Sequence, residues 1–114
     1  MVNRSQRKIL SLAASGSNTY VSQAIPLNTR LIIRKFGFAD DGSADGKAVT
    51  FQLQFGSGST FADIRLGASN AATYELPVNE EFIGKGTDFF RVITTNRSAA
   101  NARNAAWWIN AYDA

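Results

Sequence analysis

The chain has 114 residues, a formal net charge of +3 and an apolar share of 45%, which together indicate one globular domain. No apolar run approaches the roughly 18 residues of a membrane-spanning helix, so no membrane partner is expected. The chain has neither cysteine nor histidine, which excludes disulfides, thiolate metal sites, cysteine nucleophiles and a Ser-His-Asp arrangement; we therefore expect no catalytic residues and no enzymatic activity.

The N-terminus is the most basic part of the chain, because Arg4, Arg7 and Lys8 place three positive charges within the first eight residues. The apolar run that follows, residues 9–14, is too short and too interrupted for the core of a secretory signal. We predict a flexible basic arm over residues 1–8, followed by one β-sandwich domain over residues 9–114 whose first strand comes directly after the arm. Such an arm suits contact with an acidic protein surface or nucleic acid.

Apolar and polar side chains alternate with a period of two along most of the remaining chain, which is typical of half-buried strands. The predicted strands are 29–38, 49–55, 61–66, 72–78, 88–94 and 105–112. The predicted turns between strands are 16–18, 26–28, 40–46, 56–59, 67–70 and 84–87. The alanine-rich segment 98–106 is interpreted as a loop. The pattern predicts an all-β fold, a single antiparallel β-sandwich or jelly roll.

The segment Ala105–Tyr112 differs from the other predicted strands because both of its faces carry large apolar groups. Trp107 and Ile109 share one face, whereas Trp108 and Tyr112 share the other. A domain of this length has one core, so the second face needs another cover: a partner subunit, a larger assembly or a ligand. The pattern does not decide which of the two tryptophans faces the core.

Assembly is the simplest way to cover such two-faced strands, and residues 88–94 share the pattern. Aromatic and arginine side chains are also enriched in the energetic centres of protein interfaces. We therefore predict a subunit interface. Its predicted residues are Phe89, Arg91, Trp107, Trp108 and Tyr112.

The polar segment Asp41–Gly46 begins like a calcium loop, with oxygen-bearing residues at alternate positions and glycine at the sixth. Its ninth and twelfth positions are Val49 and Gln52, so the bidentate glutamate of such loops is missing. We interpret the segment as a connection between strands, and cation binding by Asp41–Asp45 stays an open question. No metal or cofactor is predicted, because Gly56–Thr60 also lacks the lysine and helix of a phosphate-binding loop.

The chain combines a basic N-terminus, the turn Ile25–Thr29 before an apolar strand, the segment Phe89–Ser98 and the closing run Trp107–Tyr112. In pattern and size it resembles small jelly-roll decoration (cement) proteins on the capsids of tailed bacteriophages. The resemblance implies a non-enzymatic virion structural protein, a homotrimer that stabilises the phage head by bridging subunits of the major capsid protein. It also implies assembly in the bacterial host cytoplasm and a final location on the capsid surface.

Within that resemblance, the basic residues Arg4, Arg7 and Lys8 are expected to bind the capsid. Deletion of residues 1–8 is then expected to weaken attachment and to leave the fold intact. The alternative is a carbohydrate- or receptor-binding β-sandwich of a tail or fibre, with a surface aromatic ring as the stacking platform. Single-stranded nucleic acid is disfavoured, because acidic residues are interspersed among the basic ones, and a small-molecule ligand is not expected.

Overall fold

The computed structural model describes residues 2–114, which form two antiparallel sheets packed face to face. The strands are β1 Val2–Asn3, β2 Gln6–Leu12, β3 Ser17–Val21, β4 Arg30–Asp40, β5 Val49–Gly56, β6 Ala62–Ser69, β7 Thr73–Ile83, β8 Phe89–Asn96 and β9 Arg103–Asp113. The predicted all-β sandwich is therefore confirmed. Within these residues there is no helix long and apolar enough to cross a membrane.

Most strand pairs in the two sheets join strands that are distant in sequence. In the five-stranded sheet β1 and β2 both pair with β9, which pairs with β4, and β4 pairs with β7. The four-stranded sheet has the order β3-β8-β5-β6. The chain repeatedly crosses from one sheet to the other, as in jelly rolls, and the hairpin of β5 and β6 is the one hydrogen-bonded pair of strands that are consecutive in the described residues.

The core lies between the sheets and is filled by the inward-facing residues of each strand. Phe38 of one sheet stacks on Phe51 of the other with ring centroids 4.7 Å apart. Tyr20 packs on Trp107 with centroids 5.2 Å apart. The largest fully buried apolar side chains are Trp107, Phe36, Phe38, Phe51, Phe90, Ile25, Leu31, Ile33, Leu53, Ile109 and Val49.

The structure of strand β9 shows which of the two tryptophans faces the core. Its burial alternates, with Trp107 and Ile109 buried in the core and Trp108 half-buried on the opposite face. Trp107 has a relative exposure of 0% inside a single chain. The prediction that Trp107 belongs to a subunit interface is therefore wrong, because the fold itself covers the whole side chain.

The N-terminal segment is a pair of edge strands rather than a flexible arm. Val2–Asn3 and Gln6–Leu12 run antiparallel to β9 and hydrogen-bond to it. Without them one edge of β9 would present unpaired backbone groups above the core. The prediction of a flexible arm over residues 1–8 is therefore wrong for residues 2–8, and Met1 lies outside the described residues.

Several strand boundaries also differ from the prediction: β4 and β7 run on to Asp40 and Ile83, and two further differences have a clear cause in the packing. Residues 67–69, predicted as a turn, belong to β6, because Gly67 serves close packing: an added Cβ would lie 2.3 Å from Cζ of Phe38. The predicted loop 98–106 ends early, since β9 begins at Arg103. The Arg103 side chain is buried in a polar network that only the folded chain assembles.

Deletion of residues 2–8 is expected to lower the free energy of unfolding by roughly 3 kcal/mol or more, because several backbone hydrogen bonds worth about 1 kcal/mol each are lost with their packing. Urea denaturation followed by circular dichroism measures the change. The matched control is Arg7→Gln with Lys8→Gln, which removes charge and keeps the strand. A deletion as stable as this control would contradict the edge-strand role.

Candidate functional site

The outer face of the five-stranded sheet, the side away from the core, carries an in-register row of four residues. Arg7 of β2 lies opposite Trp108 of β9, which lies opposite Gly37 of β4. Gly37 in turn lies opposite Glu75 of β7. We call these four residues the Trp108 row, because each of the others flanks or supports the indole.

The Trp108 indole lies across Gly37, in space that any other residue would fill. A Cβ added to Gly37 would lie 2.0 Å from the indole Cε2 and 2.1 Å from Nε1. The indole N–H donates to Oε2 of Glu75 at 3.0 Å, and the Arg7 guanidinium carbon lies 5.7 Å from the ring centroid. The ring is therefore held in one orientation on an open sheet face.

Glu75 is the anionic end of the Trp108 row. The indole N–H of Trp108 is the main cause that lowers the pKa of Glu75, and the Lys35 ammonium, whose Nζ lies 3.3 Å from Oε1, lowers it further. Glu75 is therefore ionised at neutral pH and accepts hydrogen bonds. Its charge orients both the indole and the lysine.

A second arginine–aromatic pair lies further along β9 on the same outer face. The Arg34 guanidinium carbon is 5.5 Å from the ring centroid of Tyr112. Arg34 occupies a bulge, since Ile33 pairs with Ala111 whereas Lys35 pairs with the preceding residue of β9. A bulge changes the direction of the side chain, and here the Arg34 side chain lies over Tyr112 of β9.

A shallow apolar depression adjoins the Trp108 row. Ile9, Ala39 and Ala106 line it, with Arg7 and Asp41 at its polar border. Ile9 has a relative exposure of 79%, although its residue type favours burial. The outer face of this sheet thus combines one oriented indole, exposed apolar surface and charged groups.

Phe89 and Arg91 lie on the opposite side of the molecule, on the outer face of the four-stranded sheet. The Arg91 Nε–H donates to Oε1 of Gln54 at 2.6 Å, and the Gln54 amide donates to Oδ1 of Asp63 at 2.7 Å. The Phe61 ring centroid lies 3.7 Å from the Arg91 guanidinium carbon. This second arginine–aromatic cluster is tied into the sheet by hydrogen bonds.

The residues predicted to form one subunit interface therefore occupy three places. Trp107 lies in the core, Trp108 and Tyr112 lie on one outer face, and Phe89 and Arg91 lie on the other. The spacing along the chain could not reveal this division, because it depends on which sheet each strand joins. No single surface contains all five side chains.

The three basic N-terminal residues are also separated by the alternation of their strands. Arg4 makes a bidentate ion pair with Asp113, with N···O distances of 2.6 and 2.9 Å. The Lys8 ammonium lies 5.2 Å from the ring centroid of Tyr20, at the edge between the sheets. Of the three, Arg7 points to the outer face, so they do not form one basic surface.

A buried ion pair joins Asp40 and Arg103 at one end of the sandwich, and both side chains have a relative exposure of 0%. Arg103 also donates to the Lys47 carbonyl at 2.6 Å and to Oδ1 of Asn70 at 3.2 Å. Ser69 donates to the Asp40 carboxylate. The network closes the ends of β4, β6 and β9, and its role is structural.

In the loop that begins like a calcium site, the Asp45 carboxylate accepts hydrogen bonds from the protein itself. Asp45 accepts from the Ser43 hydroxyl, from the Lys47 backbone N–H at 3.0 Å and from the Ser98 hydroxyl at 2.7 Å. These hydrogen bonds, that of Ser43 first, lower the pKa of Asp45 to about 2. Among residues 2–114, no three acidic side chains are grouped so as to hold a metal ion.

The fold is shared with several solved structures, whereas no protein-family profile and no curated sequence matches the chain. The Yersinia pseudotuberculosis-derived mitogen has a TM-score of 0.61 at 10% identity, covering 96% of this chain and 86% of that one. CBM4 has a TM-score of 0.51 at 12% identity, with 93% and 82% covered. TmCBM61, solved with β-1,4-galactotriose, has a TM-score of 0.51 at 11% identity, with 93% and 69% covered.

At these identities the likeness shows the fold alone. The chain is a β-sandwich module of the jelly-roll kind.

The pH dependence of stability is expected to follow Asp40 and Asp45. Burial by itself raises the pKa of Asp40, but hydrogen bonds from Ser69, Gly42 and Ala71, with Arg103, lower it overall. Folded-state pKa values below the ordinary 3.8 mean that the stabilisation is complete above that pH and is lost as the pH falls toward about 2.

Urea titrations between pH 7 and pH 2 measure this loss. Asp45→Asn is expected to be less stable at neutral pH and to lose less stability over the acid interval. An identical acid slope for both proteins would contradict the role of Asp45.

Proposed function

We propose that the chain is a non-enzymatic carbohydrate-binding module whose platform is the Trp108 row. One observation carries the proposal: the indole of Trp108 lies across Gly37, is oriented by Glu75, and stands outside a core that Trp107 already completes. Aromatic rings offer an apolar surface with a specific orientation, which suits the C–H face of a sugar ring. Charged and amide groups beside the ring supply hydrogen bonds to hydroxyls.

Three further features support the proposal. Lys35 and the exposed Asn110 flank the row with donors and an acceptor. The face is open, because Gly37 and Ala39 have little or no side chain there. Two of the structures that share the fold are carbohydrate-binding modules, and one of them was solved with a galactotriose.

A glycan array, followed by isothermal titration calorimetry on the best neutral glycan, tests the platform. Trp108→Ala is expected to weaken binding about fivefold or more, since stacking on an aromatic ring is worth roughly 1 kcal/mol or more. Gly37→Ala is expected to weaken binding too, because the added Cβ displaces the indole. Trp107→Phe is the matched control, since Trp107 is buried.

Array signals that survive Trp108→Ala unchanged would overturn the assignment of the platform. A folded wild-type protein that binds no glycan on the array would overturn the function itself.

We propose a second function on the opposite face: docking in a virion as a capsid decoration protein, a homotrimer that contacts the major capsid protein on the capsid surface after assembly in the bacterial cytoplasm. The observation that favours it is exposed apolar surface on the two edge strands of the four-stranded sheet, β3 and β6, with Arg91 on the strand next to β3. Leu66 and Val21 have relative exposures of 59% and 49%, and Val21 lies opposite Arg91 in the ladder. Such combinations mark protein contacts.

Light scattering of the purified chain tests this second function. The wild type is expected to be trimeric and Leu66→Asp monomeric, because a carboxylate in the apolar contact is left without a partner. Ile9→Asp, on the other outer face, is the matched control and stays trimeric. A wild type that is monomeric at all concentrations would contradict the homotrimer.

A further inference from the structure

We infer that the ligand of the Trp108 face is an acidic glycan, whose carboxylate or sulfate groups bind Arg7 and Arg34. The inference rests on the proposed carbohydrate-binding function and names the substrate class. It is carried by the placement of two arginine–aromatic pairs on the two sides of one strand.

Arg7 and Arg34 hold surplus positive charge on this face. Neither forms an ion pair with a carboxylate of residues 2–114, whereas the other two basic residues on the face do: Lys35 pairs with Glu75, and Arg30 pairs with Glu81 with N···O distances of 3.3 and 2.7 Å. Glu75 and Glu81 are therefore already matched, and Asp41, at the border of the depression, lies 3.5 Å from Nε of Arg103. The remaining charge favours an anionic ligand.

Contact with an aromatic ring prepares each guanidinium for such a ligand. Arg7 lies 5.7 Å from the Trp108 centroid and Arg34 lies 5.5 Å from that of Tyr112. The ring restricts the arginine and leaves its planar N–H donors available, and these donors match a carboxylate or sulfate with two parallel hydrogen bonds. A lysine could supply the charge but not that geometry.

The two pairs define the direction in which a polymer would lie. Arg7 comes from β2 and Arg34 from β4, the two strands that flank β9. Trp108 and Tyr112 are four residues apart on β9, which corresponds to about 13 Å of strand. A glycan chain running along β9 would have one arginine on each side and one aromatic ring under each end.

The residue between the two aromatic rings favours a glycan over an acidic protein surface. Asn110 is exposed midway along β9 on this face, and it pairs with Lys35 in the ladder. An amide at that point can donate to and accept from sugar hydroxyls. The centre of a protein interface is instead depleted in lysine and acidic residues, whereas here Lys35 lies beside Asn110 and Glu75 beside Trp108.

Calorimetry with trigalacturonate and neutral galactotriose as the two probes, at low and at physiological salt, tests the inference. A second pair of probes, a sulfated and a desulfated chondroitin oligosaccharide, distinguishes binding of sulfate from binding of carboxylate. The wild type is expected to bind an acidic probe about tenfold more tightly than its neutral counterpart. Arg34→Gln, which lies outside the Trp108 row, should remove most of that preference and spare neutral binding, whereas Arg7→Gln should lower the ratio of acidic to neutral affinity. Arg97→Gln, on the four-stranded sheet, is the control for lost charge.

Equal affinity for acidic and neutral probes, with both dependent on Trp108, would overturn the inference and leave the carbohydrate-binding function standing. Binding of none of the probes or array glycans would overturn both. Polyaspartate or a single-stranded oligonucleotide bound as tightly as the acidic glycans would overturn the inference in favour of a nonspecific anion surface. Circular dichroism confirms that each variant is folded.

Discussion

Strand β9 has to be covered on both faces and along both edges, and most of the molecule is arranged to do so. On the inner face Trp107 fills the core against Tyr20. On the outer face Trp108 lies on Gly37, where even a methyl group would collide with the ring. The edges are closed by β4 and by the N-terminal strands. A single strand thus links the stability of the fold to the properties of its surface.

The alternation of apolar and polar residues was enough to predict the class of fold and the central strands, because a strand that is buried on one face alternates in this way along its own sequence. The predicted strand 49–55 corresponds to β5, Val49–Gly56. Residues 2–8 show no such alternation: basic residues are tolerated on an exposed edge strand, and the partner of β2 lies about a hundred residues further along the chain. Gly67 was wrongly predicted to lie in a turn because glycine is typical of turns. In the structure it lies in β6, where the contact with Phe38 leaves no room for a side chain.

Part of the candidate site was also predictable. Trp107, Trp108 and Tyr112 stood out as aromatic residues on both faces of one strand, and only the structure shows that Trp107 is the tryptophan that fills the core. Glu75 and Arg34 did not, because their roles arise from the cross-strand register and from a bulge. Gly37 offered one readable signal, as a glycine between two phenylalanines inside a strand, which indicates that something approaches the backbone closely.

The central claim is that the outer face of the five-stranded sheet is the binding surface, and chemical-shift mapping of the isotope-labelled protein tests it most directly. On titration with trigalacturonate, the indole N–H of Trp108 and the amides of Gly37 and Glu75 are expected to shift. The indole N–H of the buried Trp107 should stay in place and serve as the internal reference. Shifts confined to the face around Arg91, or no shifts at all, would contradict the account.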